Sequence, residues 1–246
     1  MQRYFTETET TVLLKTVGTV NSLPARRDDA AIRALLCSGL RIGEFLKVTL
    51  GAALRALDSK YLFIPREDRK KKTVVTEAGT RVIADDHKVF VTAPLRKALE
   101  DLIRIHGEMV ERARFDADEL ALNTPLMLSR EGVASRAGMT PRTFQIRFKQ
   151  WCERAGLTPD ATPHWLRHTR AMQIMRESQA TDPRGIVQSV LGHRSIQSTA
   201  VYTGVSREEV EAALDRVDAP RAGRRMSLTE LRHTYLADRA IGGGAA

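Results

Sequence analysis

The stretch Thr162-Pro163-His164-Trp165-Leu166-Arg167-His168-Thr169 opens a helix with chemistry on its first turns. Thr162 followed by Pro163 is an N-cap and first-position pair. His164 then lies where free N–H groups and the helix dipole favour an anion. Arg167, at i+3, shares its face. An imidazole and a forked guanidinium on one face suit a single phosphate. His164 and His168, at i and i+4, also have a metal-holding spacing. Position 165, however, is Trp where a zinc-protease helix carries Glu, and no third ligand suggests itself. No metal or other cofactor is expected. Taken alone, the stretch equally fits a helix whose His168 packs in the core and whose Arg167 meets a carboxylate.

Further along, Leu191-Gly192-His193 places His193 at a turn, just after a helix that Gly192 ends. Tyr202 follows nine residues later, at the end of a short helix expected over 196–202. A tyrosine there is ordinarily a core aromatic. Its phenol, with an unperturbed pKa near 10, becomes a nucleophile only among cations and a hydrogen-bond acceptor. On the N-terminal side, Gly39-Leu40-Arg41-Ile42-Gly43-Glu44 puts Arg41 at a helix start beside a tight turn. Glu44, at i+3, is placed to orient it. By itself that pair reads as a surface ion pair.

The rest of the chain reads mainly as helix. Thr6 with Glu9 forms a capping box, opening a first helix through about residue 20. Asp28 and Asp29 suit the start of a second helix, filled by the apolar run 30–36 and ended by Gly39. A short helix follows from about Arg41. Segments 61–65, 73–76 and 88–92 are β-branched or aromatic, and predict one small antiparallel sheet. Helices are expected again over 94–114, from Thr140-Pro141 to Gly156, from Thr162, over 184–191, and over Arg207–Val217 behind Ser206 and Glu209. The fold class is mainly α with a small antiparallel β-sheet.

Composition narrows the function. The chain has 246 residues with 39 Lys+Arg against 30 Asp+Glu, a net charge of +9. With 42% apolar and 28% charged residues it is a folded protein rather than a disordered one. Two cysteines, Cys37 and Cys152, make no disulfide framework and fit a reducing cytoplasm. No apolar run approaches the roughly 20 residues that cross a bilayer, and the first residues lack the apolar core of a signal peptide. A basic surplus in clusters at 66–72, 142–149 and 221–225 favours a polyanion, and nucleic acid over a membrane surface.

Together, the three motifs resemble the tyrosine recombinase (phage integrase) family in order and spacing. Its Gly-x-Arg-x-x-Glu box is matched by Gly39, Arg41 and Glu44. Its His-x-Leu-Arg-His box is matched by His164, Leu166, Arg167 and His168. Leu191, Gly192 and His193 match Leu-Gly-His, with Tyr202 at the position of the nucleophilic tyrosine. The resemblance covers roughly residues 25–217. It implies a short N-terminal helical segment over 1–24, a catalytic domain over 25–218, and a basic, Gly-rich tail over 219–246.

It also implies a reaction. Tyr202 attacks a phosphodiester of double-stranded DNA in line, giving a 3′-phosphotyrosyl intermediate and a free 5′-hydroxyl. Arg41 and Arg167 clamp the non-bridging oxygens as charge develops there. His164 and His193 add hydrogen bonds, and His164 is the better acceptor for the tyrosine proton. A hairpin lysine serves as general acid for the departing 5′-oxygen: Lys70 is preferred by position, and Lys72, followed by Thr73, matches a Lys-Thr form seen in some members. The remaining members of the run 70–72 neutralise phosphate.

Two departures from the family pattern stand out. Only about 25 residues precede the matched region, so the helical core-binding domain that closes a clamp round DNA is expected to be absent. Arg170 stands where a smaller or apolar residue is commoner, and is expected to reach the DNA backbone. The face Val210, Ala213, Leu214, Val217 has the character of a helix that docks on a neighbouring protomer; packing on its own core fits it equally. The resemblance therefore implies a homo-oligomer on DNA, with DNA-bending accessory proteins as possible partners and no membrane. Integration or excision of a mobile element is the leading role. A plasmid or chromosome dimer resolvase, a topoisomerase-like relaxing activity and an inactive DNA-binding accessory protein are the competing ones.

Overall fold

The computed structural model describes residues 4–69, 73–75, 81–83, 86–112, 122–129, 137–192 and 207–218. The sequence-identified residues Lys70, Lys72, His193 and Tyr202 lie outside these, as do Ser206, the helix expected over 196–202 and the tail 219–246.

Helix α1 (Glu7–Gly18) begins at the capping box: the Glu9 backbone N–H donates to Thr6 Oγ1, and Thr6 N–H donates back to the Glu9 carboxylate. Helix α2 (Leu23–Ser38) runs through the middle of the molecule, against α1, α5 (Ala93–Arg112) and α7 (Pro163–Glu177). Ala30, Ala31, Ile32, Ala34 and Leu35 are all buried, as a helix covered on several sides requires. Helix α2 starts one turn earlier than the acidic pair suggests, because Ser22 caps it by accepting from the Ala25 N–H and Pro24 sits in its first turn.

Asp28 accordingly lies inside the helix and is buried. Its carboxylate accepts from Trp151 Nε1 at 2.8 Å, Arg147 Nη2 at 2.6 Å and Arg27 Nη2 at 3.2 Å. A buried charge is tolerated only when paired and hydrogen-bonded in this way. The cluster fastens α6 (Pro141–Arg154) to α2.

Helix α3 (Ile42–Phe45) and helix α4 (Leu50–Ser59) follow, and α4 is not among the helices expected from the sequence. Thr49 caps α4 through the Ala52 N–H, and Leu50, Ala53 and Leu57 face inward at helical spacing.

Instead of one sheet, the described residues form two antiparallel pairs. β1 (Tyr61–Ile64) pairs with β4 (His87–Phe90), from Tyr61↔Phe90 to Ile64↔His87. β2 (Thr73–Val75) pairs with β3 (Arg81–Ile83), the latter too short and too charged to stand out in the sequence. Leu62, Ile64, His87 and Val89 point into the core, while exposed Phe63 lies under Lys88 Nζ at 5.4 Å.

Helix α7 begins at Thr162-Pro163, as expected, and α8 covers Pro183–Leu191. Phe5 is buried beside Trp165 and Phe148, and its N–H donates to Thr169 Oγ1, so the chain before α1 is anchored on α7. Helix α9 spans Arg207–Val217 as read from the sequence. It packs in cis: Ala213 and Leu214 join Ile174, Ile186 and Val190 in a small second core against α7 and α8. Cys37 and Cys152 are free thiols, and burial pushes both up to about 12. No helix among the described residues is long and apolar enough to cross a membrane.

Candidate active site

The site forms where the C-terminal ends of α2 and α8 meet α7. Gly39 ends α2 with φ +64°, a left-handed conformation that glycine adopts without penalty. A Cβ there would also lie 2.7 Å from the Leu191 side chain. The turn delivers Arg41 to the start of α3. The Arg41 guanidinium pairs with Glu44 at 2.9 Å, and its backbone N–H donates to the same carboxylate at 3.2 Å. Glu44 is buried and Arg41 a quarter exposed, so the carboxylate aims a guanidinium that solvent still reaches.

Arg167 comes from α7 and is only 2% exposed. Nη1 donates to the Gly39 carbonyl at 2.6 Å and Nη2 to the Leu191 carbonyl at 2.7 Å. All three separated motifs are therefore joined through one side chain. The carbonyls hold it, rather than the carboxylate that an ordinary buried arginine would seek. Burial pushes the guanidinium down to about 10, with repulsion from Arg41 and Arg69 adding to the fall and Glu44 opposing it. Arg167 is still charged at neutral pH. Arg41, Arg69 and Glu44 thus all act electrostatically on Arg167, an excess of cations over carboxylate that favours a bound anion.

The end of α8 is built with equal care for its carbonyls, which a helix leaves without internal partners. The carbonyl of Val190 meets His87 Nε2 at 3.1 Å, that of Leu191 meets Arg167, and that of Gly192 accepts from Arg69 Nη2 at 2.7 Å. Three consecutive carbonyls are thus capped from β4, α7 and the segment after β1, at the helix end whose dipole favours cations. Gly192, at φ +60°, closes the helix; a Cβ on it would lie 2.8 Å from Arg69 Nη2 and 2.9 Å from His87 Nδ1. Burial, seconded by Arg69, pushes His87 down to about 4. The neutral ring donates from Nε2 to the carbonyl, which leaves Nδ1 as an acceptor.

His164 stands exposed in the first turn of α7, one turn before Arg167, with its ring 4.5 Å from that of His168 and edge-on to it. No group of three or more metal-ligating side chains gathers among the described residues. Arg170 corrects an expectation: it does not extend toward DNA. It is 1% exposed, and both its Nη atoms pair with Asp218, just past α9, at 2.7 and 2.8 Å.

Of the residues read as catalytic, the described structure brings Arg41 and Arg167 together and puts His164 on the same helix as Arg167. Arg69 and His87 were not singled out. Arg69 was legible only as one charge of the run 66–72, and His87 sat one residue outside the expected strand.

The phage integrase family matches residues 3–209, nearly the whole described body. The chain belongs to the phage integrase family. Among curated relatives, a tyrosine recombinase XerC of Pseudomonas savastanoi pv. phaseolicola is 30% identical over 219 residues, covering 89% of this chain and 61% of that protein. An integrase/recombinase of Escherichia coli is 45% identical over 76 residues, covering 31% and 22% respectively. This phage integrase family member spans between 22% and 61% of the length of such relatives. Among solved structures, the XerA recombinase is similar with a TM-score of 0.54 at 23% identity, covering 90% of this chain and 67% of that one. The Tn1549 transposon integrase in complex with circular intermediate DNA gives 0.54 at 18%, covering 88% and 66%. Both likenesses speak for the shared fold.

Proposed function

We propose that this chain is a site-specific DNA recombinase that cuts and rejoins strands through a 3′-phosphotyrosyl intermediate, in the integration or excision of a mobile element. The observation that carries the reading is Arg167 bridging Gly39 and Leu191, which gathers the three motifs around two adjacent guanidinium groups. In this reading residues 25–218 form the catalytic domain, behind a helical segment at 1–24 and ahead of a basic tail.

Arg41 and Arg167 hold the scissile phosphate, and Tyr202 Oη attacks phosphorus in line. The phenolic proton passes to His164 while the bond from phosphorus to the 5′-oxygen breaks. Lys70, or Lys72, gives that oxygen its proton, and His193 donates a hydrogen bond to the phosphate. The developing charge is met by groups already in place, which is where electrostatic catalysis gains most. The energy of the broken bond stays in the phosphotyrosine, so rejoining needs only the attack of another strand's 5′-hydroxyl, with tyrosine as leaving group.

Exchange between two strands requires two such intermediates, hence a homo-oligomer assembled on double-stranded DNA, in the cytoplasm where that DNA lies. Similarity to a transposon integrase favours the mobile-element role. Similarity to XerC recombinases is the observation that favours resolution of plasmid or chromosome dimers as the second reading.

The test begins with a duplex that the protein itself selects from a random-sequence pool, nicked so that cleavage is trapped. A covalent adduct on a denaturing gel, absent from Tyr202→Phe while DNA binding persists, supports the enzyme. A wild-type chain that binds the duplex and yields no adduct is an accessory protein.

A further inference from the structure

We propose that Arg69 is a positioning residue for strand cleavage: by tying the segment after β1 to the end of α8, it sets where the general acid of the run 70–72 meets the departing 5′-oxygen. The inference rests on the recombinase reading and deepens it.

Arg69 leaves a base that is already held. The turn Arg66–Asp68 is fixed by the Arg66 N–H donating to Asp86 at 3.0 Å and by Lys47 paired with Asp68 at 3.2 Å. From there Arg69 reaches across 123 residues of chain to the Gly192 carbonyl. On β4, which pairs with β1, His87 holds the neighbouring carbonyl of Val190. The segment after β1 and the strand paired with β1 are thus docked on α8 at two adjacent points. Gly192 has no Cβ to obstruct either one.

The two bonded residues are also the covalent neighbours of the chemistry. Lys70 follows Arg69 directly, and His193 follows Gly192 directly. Loss of the tie therefore releases from α8 the chain that enters the run 70–72. The tie has an electrostatic cost, since Arg69 repels Arg167 and also disfavours a charge on His87. An uncharged donor would cap Gly192 without that cost. A cation at this point also adds to the field that holds the phosphate.

The test compares two nicked duplexes of the selected sequence, one with the ordinary 5′-oxygen and one with a bridging 5′-sulfur at the scissile linkage. A thiolate departs without a proton, so the sulfur substrate does not need the general acid. Single-turnover adduct formation is measured for wild type, Arg69→Ala and Arg69→Lys, and the sulfur-to-oxygen rate ratio is taken within each variant. The ratio is unaffected by the fraction of chain that is folded.

Arg69→Ala is expected to cleave the oxygen substrate about tenfold or more slowly and to recover most of that loss with sulfur. Arg69→Lys, which keeps the charge and one donor, is expected between Arg69→Ala and wild type. Equal ratios in wild type and both variants overturn the inference, whether the rates fall together or do not fall at all. A wild type that cleaves neither substrate overturns the recombinase reading, and this inference with it.

Discussion

Arg167 Nη1 donates to the carbonyl of Gly39 at 2.6 Å, across 128 residues of chain and two residues before Arg41. One guanidinium of the site thereby fixes the backbone that delivers the other. Its second arm, on Leu191, fixes the helix end that leads to His193 and Tyr202. Arg167 is an organising residue before any substrate arrives.

Arg167→Lys should therefore lose more than a contact to phosphate. A lysine cannot fork to both carbonyls, and an unpaired buried acceptor costs about 1–3 kcal/mol. Burial with two arginines nearby also lowers a lysine's pKa, toward the neutral range. Single-turnover adduct formation should fall about 100-fold or more, and fall further as pH is raised above neutrality. Activity within a few-fold of wild type at all pH values would contradict the arrangement.

Gly192→Ala and Gly156→Ala form a matched pair. Both glycines are left-handed, at φ +60° and +68°, but only the Gly192 Cβ would meet Arg69 and His87; nothing lies within 4 Å of the other. The left-handed penalty, about 1–2 kcal/mol, is common to both. Urea unfolding should show a larger loss for Gly192→Ala, together with lower cleavage. Equal losses would mean that the close approach at Gly192 carries no weight.

Asp218 sits at the C-terminal end of α9, where the helix dipole disfavours an acid. Its partner Arg170 is buried, so each charge is tolerable only with the other. Asp218→Ala should cost about 3–5 kcal/mol by stranding the guanidinium. The double substitution Arg170→Met/Asp218→Leu should recover much of that loss. Thermal or urea unfolding decides; a double variant as unstable as the single one would show that the pair contributes more than mutual neutralisation.

His87 gives the fold a pH dependence. Its pKa falls from 6.5 to about 4 in the folded chain, first through burial and then through Arg69. Between those values the unfolded chain binds more protons, so stability rises with pH across the window and falls as pH drops through it. The contribution is of the order of 3 kcal/mol. His87→Gln, whose amide reaches the same carbonyl, should flatten that slope between pH 6.5 and 4 relative to wild type. Parallel curves would remove His87 as its source.

Much of the fold was legible because local chemistry and tertiary packing agree. The capping box at Thr6, the Thr140-Pro141 and Thr162-Pro163 starts, and the span Arg207–Val217 each follow from the residues at hand. The start of α2 did not, because Asp28 looks like an N-terminal acid until Arg147 and Trp151, over 100 residues away, supply its partners. Helix α4 was hidden by its small residues, although Leu50, Ala53 and Leu57 carry the period.

In the site, the pairing of Arg41 with Glu44 and the helix start at Thr162-Pro163 could be read from spacing, whereas their joint role rested on the family resemblance. Arg170 could not: a surplus arginine in a basic protein suggests a polyanion, and only the position of Asp218 shows that it is spent inside. Arg69 and His87 act on carbonyls of α8, and backbone acceptors leave no motif. Their clearest trace in the sequence was Gly192, whose missing side chain makes room for both.

The most direct measurement is peptide mapping of the trapped adduct by mass spectrometry, with the DNA end identified. The account expects Tyr202 joined to a 3′-phosphate and a free 5′-hydroxyl on the released strand, with no adduct in Arg167→Ala that still binds DNA. Attachment through another residue, or through a 5′-phosphate, would contradict it.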